Sequence, residues 1–178
     1  SEEEWTVVYS AVEKAVGALV DFRKQEGAAL EKKFREKISN ISHLFAMLKA
    51  AKAAGVRRAY CHILLDGRDV PATSALTYVD RLEELLASLR EPGFDYAIAS
   101  GGGRMQITMD RYQANWPMVE AGWRTHVQGQ GRRFPSARQA IETYRQELNC
   151  IDQDLPAFVV DRSGEPVAKI ANGDSVIL

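Results

Sequence analysis

The chain has 178 residues, enough for one domain or for a domain with an appendage, because a domain usually takes ~100–200 residues. Apolar residues make up 46%, and 23 lysines and arginines against 24 aspartates and glutamates leave a formal charge of −1, which disfavours disorder and excludes a default affinity for nucleic acid. Two cysteines are too few for a disulfide framework, the acidic start does not resemble a secretory signal, and no apolar run reaches the ~20 residues of a membrane helix. We therefore expect a cytoplasmic protein with neither nucleic-acid nor membrane partners.

The first 41 residues predict a long amphipathic helix, because apolar residues recur there at steps of three and four without a proline. Gly27 costs ~1 kcal/mol relative to alanine in a helix interior, so the segment is one long helix or a helical hairpin hinged at Gly27. A straight helix of this length exceeds the width of a compact domain and needs a partner, either the sheet or a second copy of the chain. A shorter helix is predicted from Ser42, as its N-cap, to Gly55.

The rest of the chain alternates between strand and helix patterns. In chain order we predict a strand at 59–65, a helix from the N-cap Ser74 to Leu89, a strand at 96–99, helices at 116–127 and 136–148, and three short apolar segments at 158–160, 167–170 and 175–178. This order is typical of an α/β fold with a largely parallel sheet flanked by helices, and the last segments predict a C-terminal hairpin at its edge. The predicted domains are a helical segment, 1–40, and an α/β domain, 41–178.

Two loops follow predicted strands, where parallel α/β folds gather their ligands. The first contains Arg68, whose planar guanidinium suits phosphate or carboxylate, and Asp69, which can accept a hydrogen bond from a hydroxyl or orient an arginine. A surface turn with an ion pair is the alternative for this segment.

The second loop is predicted at Gly101–Gly103, followed by Arg104. Three glycines allow backbone N–H groups to approach an anion, although no Walker or dinucleotide motif is completed. Asp110 and Arg111 come six residues later, and arginines at loop positions suit a small molecule with several negative charges. A glycine-rich connection that binds no anion is the alternative.

Other candidates are weaker. The three histidines, His43, His62 and His126, have no metal-ligand spacing, and His62 lies within a buried strand pattern where a core histidine is the simpler interpretation. Trp116 and Trp123 predict a packing stripe on a helix. No serine or cysteine stands in a nucleophile elbow.

Several ordered motifs together resemble cofactor-independent phosphoglycerate mutase, in the form found in plants and trypanosomatids. They are Leu64-Leu65-Asp66-Gly67-Arg68-Asp69-Val70-Pro71, Ile98-Ala99-Ser100-Gly101-Gly102-Gly103-Arg104-Met105, Thr108-Met109-Asp110-Arg111-Tyr112 and Asn172-Gly173-Asp174-Ser175-Val176-Ile177. The resemblance covers the inserted substrate-binding (phosphotransferase) domain of that family, an α/β sandwich. It implies that Arg68, Asp69, Arg104 and Arg111 hold the substrate, 3-phosphoglycerate.

The same resemblance implies what this chain lacks. The family's phosphatase-like domain, with two manganese ions and the serine that carries the phosphoryl group, has no counterpart in this sequence. Ile38 aligns with the family's substrate histidine and can neither donate nor accept a hydrogen bond. We therefore expect no cofactor in this chain, no catalysis by this chain alone, and weak binding of phosphoglycerate.

Residues 1–40 are similar to a helical stretch of the YicC family, whose members are linked to RNA cleavage. The similarity rests on an Arg-x-x-Glu-Gly-x-x-Leu core at 23–30. A junction at 39–41 then indicates a chimera, natural or engineered. Three functions follow: a truncated phosphoglycerate-binding domain, a non-enzymatic scaffold whose first helix covers the sheet or pairs with a second copy in a homodimer, or an RNA-processing module.

Overall fold

The computed structural model of the chain describes residues 2–107 and 115–177. The chain divides into two compact units, residues 1–47 and residues 48–178. The first unit consists of helix, and the second contains the sheet and the remaining helices.

Helix α1 runs without interruption over Glu2–Ala53, a length of 52 residues. The long amphipathic helix is confirmed, whereas the hinge at Gly27 and a separate helix capped by Ser42 are wrong. A glycine costs ~1 kcal/mol, which a helix without proline absorbs, because glycine keeps the backbone N–H and C=O that continue the hydrogen-bonded ladder. The helix ends before Gly55, which adopts a φ of 84°, as helix-terminating glycines commonly do.

The second unit follows an α/β order. Its elements are β1 (Arg58–Leu65), α2 (Ala75–Leu89), β2 (Asp95–Gly103), α3 (Arg104–Ile107), α4 (Trp116–His126), β3 (Arg132–Phe134), α5 (Ala137–Leu148), a 3₁₀ turn (Asp152–Asp154), β4 (Phe158–Arg162) and β5 (Glu165–Pro166). The predicted helices and the first strand are confirmed within two residues. β3 was missed because it has only three residues, two of them exposed arginines without an apolar alternation.

The sheet is mixed and not largely parallel. Its strand order is β1-β2-β4-β3, with β5 beside β4. β1 and β2 are parallel, as are β3 and β4, but β4 lies antiparallel to β2. The prediction of a parallel sheet assumed that a helical crossover connects each strand to the next in the same direction. β4 instead runs in the opposite direction to β2.

A C-terminal hairpin is present, but its second strand is β5, not residues 167–170. Ser163 and Gly164 adopt φ values of 59° and 90°, so the chain reverses at once and β5 pairs immediately after the turn. Residues 175–177 form no strand.

The core of this unit forms where β2 and β4 meet helices α2 and α5. Its fully buried side chains include Leu86, Tyr96, Ile141, Phe158 and Val159. The central strands β2 and β4 therefore carry apolar residues on both faces. Loops begin at the carboxyl ends of the strands.

Candidate functional site

Gly101, Gly102 and Gly103 belong to strand β2, so the predicted glycine loop and its anion cradle are wrong. The Gly103 N–H donates to the carbonyl oxygen of Leu155 at 2.8 Å and is not available to an anion. A Cβ added at Gly101 would lie 2.5 Å from Cζ of Phe158, and one at Gly103 would overlap the backbone of Gln153. The glycines thus allow close packing around β2, a role that composition alone does not separate from a loop.

The two predicted arginine segments nevertheless meet, because β1 and β2 are parallel and end together. Leu65 pairs with Gly103 at the last register position, and the next residues leave the sheet side by side. Nη1 of Arg104 lies 3.2 Å from Oδ1 of Asp66 and 4.0 Å from Oδ2 of Asp69. Arg104 and Asp69, two of the predicted site residues, therefore share one cluster.

Asp66 is the centre of this cluster and was not among the predicted site residues. Its Oδ1 accepts hydrogen bonds from the backbone N–H groups of Arg68, at 3.0 Å, and Asp69, at 3.3 Å. Partial burial raises the pKa of Asp66, but these backbone hydrogen bonds and Arg104 outweigh it and hold the pKa below its usual value. The signal in the sequence was an aspartate directly after a strand, where it commonly organises the following turn.

The other two predicted residues stand differently. Arg68 is exposed on the same turn, and no ion pair or side-chain hydrogen bond joins it to any residue within 2–107 or 115–177. Arg111 lies outside the described residues.

A 3₁₀ turn, Asp152–Asp154, lies against both arginine-bearing segments, the one that contains Arg68 and the one that contains Arg104. Gly67 has a φ of 110°, and a Cβ added there would lie 3.1 Å from the backbone nitrogen of Gln153. An added Cβ at Gly103 meets the same turn. Both arginine-bearing segments thus contact one short piece of chain, which fixes their separation.

Asp152 ties this turn to the start of α2. It is 1% exposed, and its Oδ2 accepts from the backbone nitrogen of Ala75 at 2.7 Å. Ser74 occupies the N-cap position, but its hydroxyl donates to the carbonyl of Pro71, so the predicted cap through Ser74 is wrong. Arg145 completes the arrangement by donating to Oδ1 of Asp152, at 2.5 Å, and to the carbonyl of Thr73, at 2.8 Å. The sequence around the start of α2 could not predict this cap, because Asp152 lies 77 residues after Ala75.

Comparison with known proteins decides the family. Residues 38–178 match the family described as the BPG-independent PGAM N-terminus, the N-terminal part of 2,3-bisphosphoglycerate-independent phosphoglycerate mutase. The chain belongs to this family. The match includes β1, β2 and the whole cluster around Asp66.

The individual proteins to which this mutase-family chain is similar are phosphoglycerate mutases as well. A probable 2,3-bisphosphoglycerate-independent phosphoglycerate mutase of Leptospira interrogans is 56% identical over 140 residues, which cover 78% of this chain and 26% of that protein. The mutase of Trypanosoma brucei brucei is 49% identical over 141 residues, again 78% of this chain and 26% of the relative. The crystal structure of Leishmania mexicana phosphoglycerate mutase at low cobalt concentration superimposes with a TM-score of 0.72 and 46% identity, covering 75% of this chain and 25% of that one. The chain thus spans about a quarter of these relatives.

The mutase-family unit carries a second polar cluster, on β1, β2 and α4. The Ser100 hydroxyl lies 2.7 Å from Nδ1 of His62 and 2.8 Å from Nδ1 of His126. Because a hydroxyl has one proton, it donates to one imidazole and accepts from the other, which requires opposite tautomers. Burial lowers the pKa of His62, and burial together with the neighbouring His62 lowers the pKa of His126 to about 4. Both rings are therefore neutral near pH 7.

Within the ranges that the structure describes, no three histidine, cysteine or acidic side chains are grouped so that they could hold a metal ion. Among the same residues, no helix combines the length and apolar character needed to cross a membrane.

Proposed function

We propose that residues 48–178 bind phosphoglycerate, with Arg68, Asp69, Arg104 and Arg111 as the contacting residues. The observation that supports this best is the position of the Arg104 guanidinium beside Asp66 and Asp69, at the joint carboxyl end of β1 and β2. These residues lie in the segments that carry the resemblance to the mutase and within the family match.

The chemistry of the cluster suits a molecule with one phosphate and one carboxylate. Guanidinium groups form charge-assisted, often bidentate hydrogen bonds with both anions. Arg104 is 28% exposed and held by Asp66, so it offers a donor in a defined position, and the exposed Arg68 offers a second guanidinium. Asp69 can accept a hydrogen bond from the substrate hydroxyl.

We expect binding without catalysis and with low affinity. By resemblance, the serine that carries the phosphoryl group and the two manganese ions belong to a domain with no counterpart in these 178 residues. Ile38 replaces a substrate histidine, and each missing hydrogen bond to a charged group costs ~1.5–3 kcal/mol. The dissociation constant for 3-phosphoglycerate is therefore expected in the millimolar range.

Calorimetry with 3-phosphoglycerate tests this proposal. Arg104→Ala should weaken binding at least ~10-fold, because it removes a charged hydrogen-bond donor. Arg58→Ala is the matched control, since Arg58 is an exposed arginine at the opposite end of β1, and it should bind like the unmodified chain. Circular dichroism confirms that both variants fold. Equal binding by the two variants, or micromolar affinity of the unmodified chain, contradicts the proposal.

A scaffold function without ligand is the second candidate. It is favoured by the row of exposed apolar side chains on α1, which a self-associating protein would cover. The resemblance of residues 1–40 to YicC, a chimeric or engineered origin and an RNA-processing role stay predictions. An RNA cleavage assay without product removes the last of these.

A further inference from the structure

We propose that residues 5–22 of α1 form an antiparallel interface with the same segment of a second copy of this chain. This proposal is independent of phosphoglycerate binding. Large apolar side chains of this segment are exposed to between 44% and 73%, namely Trp5, Val7, Val8, Tyr9, Val12, Val16, Leu19, Val20 and Phe22. Monomeric proteins rarely leave so much contiguous apolar surface uncovered.

The spacing of these residues is that of a helix–helix seam. Trp5, Val12 and Leu19 are seven residues apart, and Val8, Ala15 and Phe22 repeat the same step three residues later. Two such rows form the a and d positions of a heptad pattern, which one helix uses to pack against another. The seam ends after Phe22, because the next position in the pattern is Glu26.

The seam is matched to itself in the antiparallel direction. When the two segments are centred between Glu13 and Lys14, Trp5 lies level with the partner's Phe22. Val8 then lies level with the partner's Leu19, and Val12 with the partner's Ala15. Each layer thus joins an a position of one copy to a d position of the other. This is the layering found in antiparallel coiled coils.

The charges along the helix select the same direction. Counted from Trp5 as an a position, Glu2 and Arg23 are both e positions, which flank the seam on the same side. In the antiparallel pair, e positions lie beside the partner's e positions, so Glu2 of each copy lies within two residues of the level of the partner's Arg23. A parallel pair in register would instead place these opposite charges at opposite ends of the seam.

Sedimentation equilibrium of the full chain over a concentration series tests this interface. We expect a reversible dimer that weakens at high salt, because the charge pairs at its ends involve the exposed Arg23. Leu19→Glu should raise the dissociation constant by ~100-fold or more, since it places a charge in two symmetry-related layers. Ser10→Glu is the control, because Ser10 lies on the opposite side of the helix from the seam, and it should leave the dimer intact.

Charge reversal tests the direction. The variant E2K should dissociate more readily, and adding R23E to the same chain should restore the dimer, because opposite charges again lie side by side. In a parallel pair the two changes together bring no recovery. Circular dichroism separates this effect from a loss of helix at the N-terminus, which R23E cannot repair. A monomer at all concentrations, or a double variant as weak as E2K, overturns the proposal.

Discussion

The paired histidines show how burial and a neighbouring imidazole make the stability of the fold sensitive to pH. The neutral rings of His62 and His126 share the Ser100 hydroxyl, and their centroids lie 5.5 Å apart. A proton on the ring that accepts from Ser100 would remove that acceptor, and a proton on either ring would place a charge beside the other ring. The folded state therefore resists protonation more than the unfolded state does.

Stability is accordingly expected to fall as the pH decreases from about 6.5 to about 4. The ordinary histidine pKa of ~6.5 describes the unfolded chain, whereas the pKa of His126 is lowered to about 4 in the folded one. Over this window the unfolded state binds more protons, so acid favours unfolding, and below the folded pKa the contribution stays lost. Urea titrations at several pH values measure this slope.

His126→Gln is the informative variant for that slope, because glutamine keeps a polar group near Ser100 but does not titrate. Carboxylates titrate in the same pH range, but they contribute equally to both proteins. Their contribution therefore disappears from the difference in the free energy of unfolding between the two. A difference that does not change with pH contradicts the assignment of the slope to His126.

The cluster at the strand ends shows how far single residues were predictable. Arg104 and Asp69 were identified from loop chemistry and from the resemblance, and the structure brings them together. Asp66 and Asp152 were missed. Asp66 acts through its own turn, whereas Asp152 reaches the start of α2 from a distant part of the chain, and a contact of that kind leaves no mark in the local sequence pattern.

At the scale of elements, the 3₁₀ turn Asp152–Asp154 is the piece that holds the arginine segments in place. Asp152→Ala should lower the free energy of unfolding by ~3–5 kcal/mol, because it removes the cap of α2 and leaves Arg145 half-buried without its carboxylate. Chemical denaturation measures this loss. The replaced contacts are those to Ala75 and Arg145.

Asp154→Ala is the matched control for this variant. Asp154 belongs to the same turn but is only half-buried, and its removal should change the free energy of unfolding by less than ~1 kcal/mol. Similar losses in the two variants would show that the turn matters as backbone and that the Asp152 carboxylate does not.

Helices were predicted better than strands for a physical reason. A helix repeats its apolar pattern over many turns, so α2, α4 and α5 are visible in the sequence alone. Strand β2 continues through three glycines because Phe158, Ile63 and Gln153 leave no room for side chains there, and that crowding comes from elsewhere in the chain. The direction of β4 is likewise decided by its partners and not by its own residues.

At the scale of the whole molecule, the two proposals concern different compact units. The interface at residues 5–22 lies in the first unit, and the candidate phosphoglycerate site lies in the second. A family match that begins at residue 38 covers the second unit and leaves the interface segment outside it. Self-association and ligand binding are therefore expected to be thermodynamically separate.

Separate units predict that the dimer-breaking variant keeps its ligand affinity. Leu19→Glu should bind 3-phosphoglycerate with the same dissociation constant as the unmodified chain, and Arg104→Ala should dimerise normally while binding poorly. Calorimetry and sedimentation on both variants measure the two properties independently. A coupling between them would appear as a changed dissociation constant in both assays, because any ligand that prefers one oligomeric state must shift that equilibrium by the same factor. Such a shift would contradict the expectation that the two units act independently.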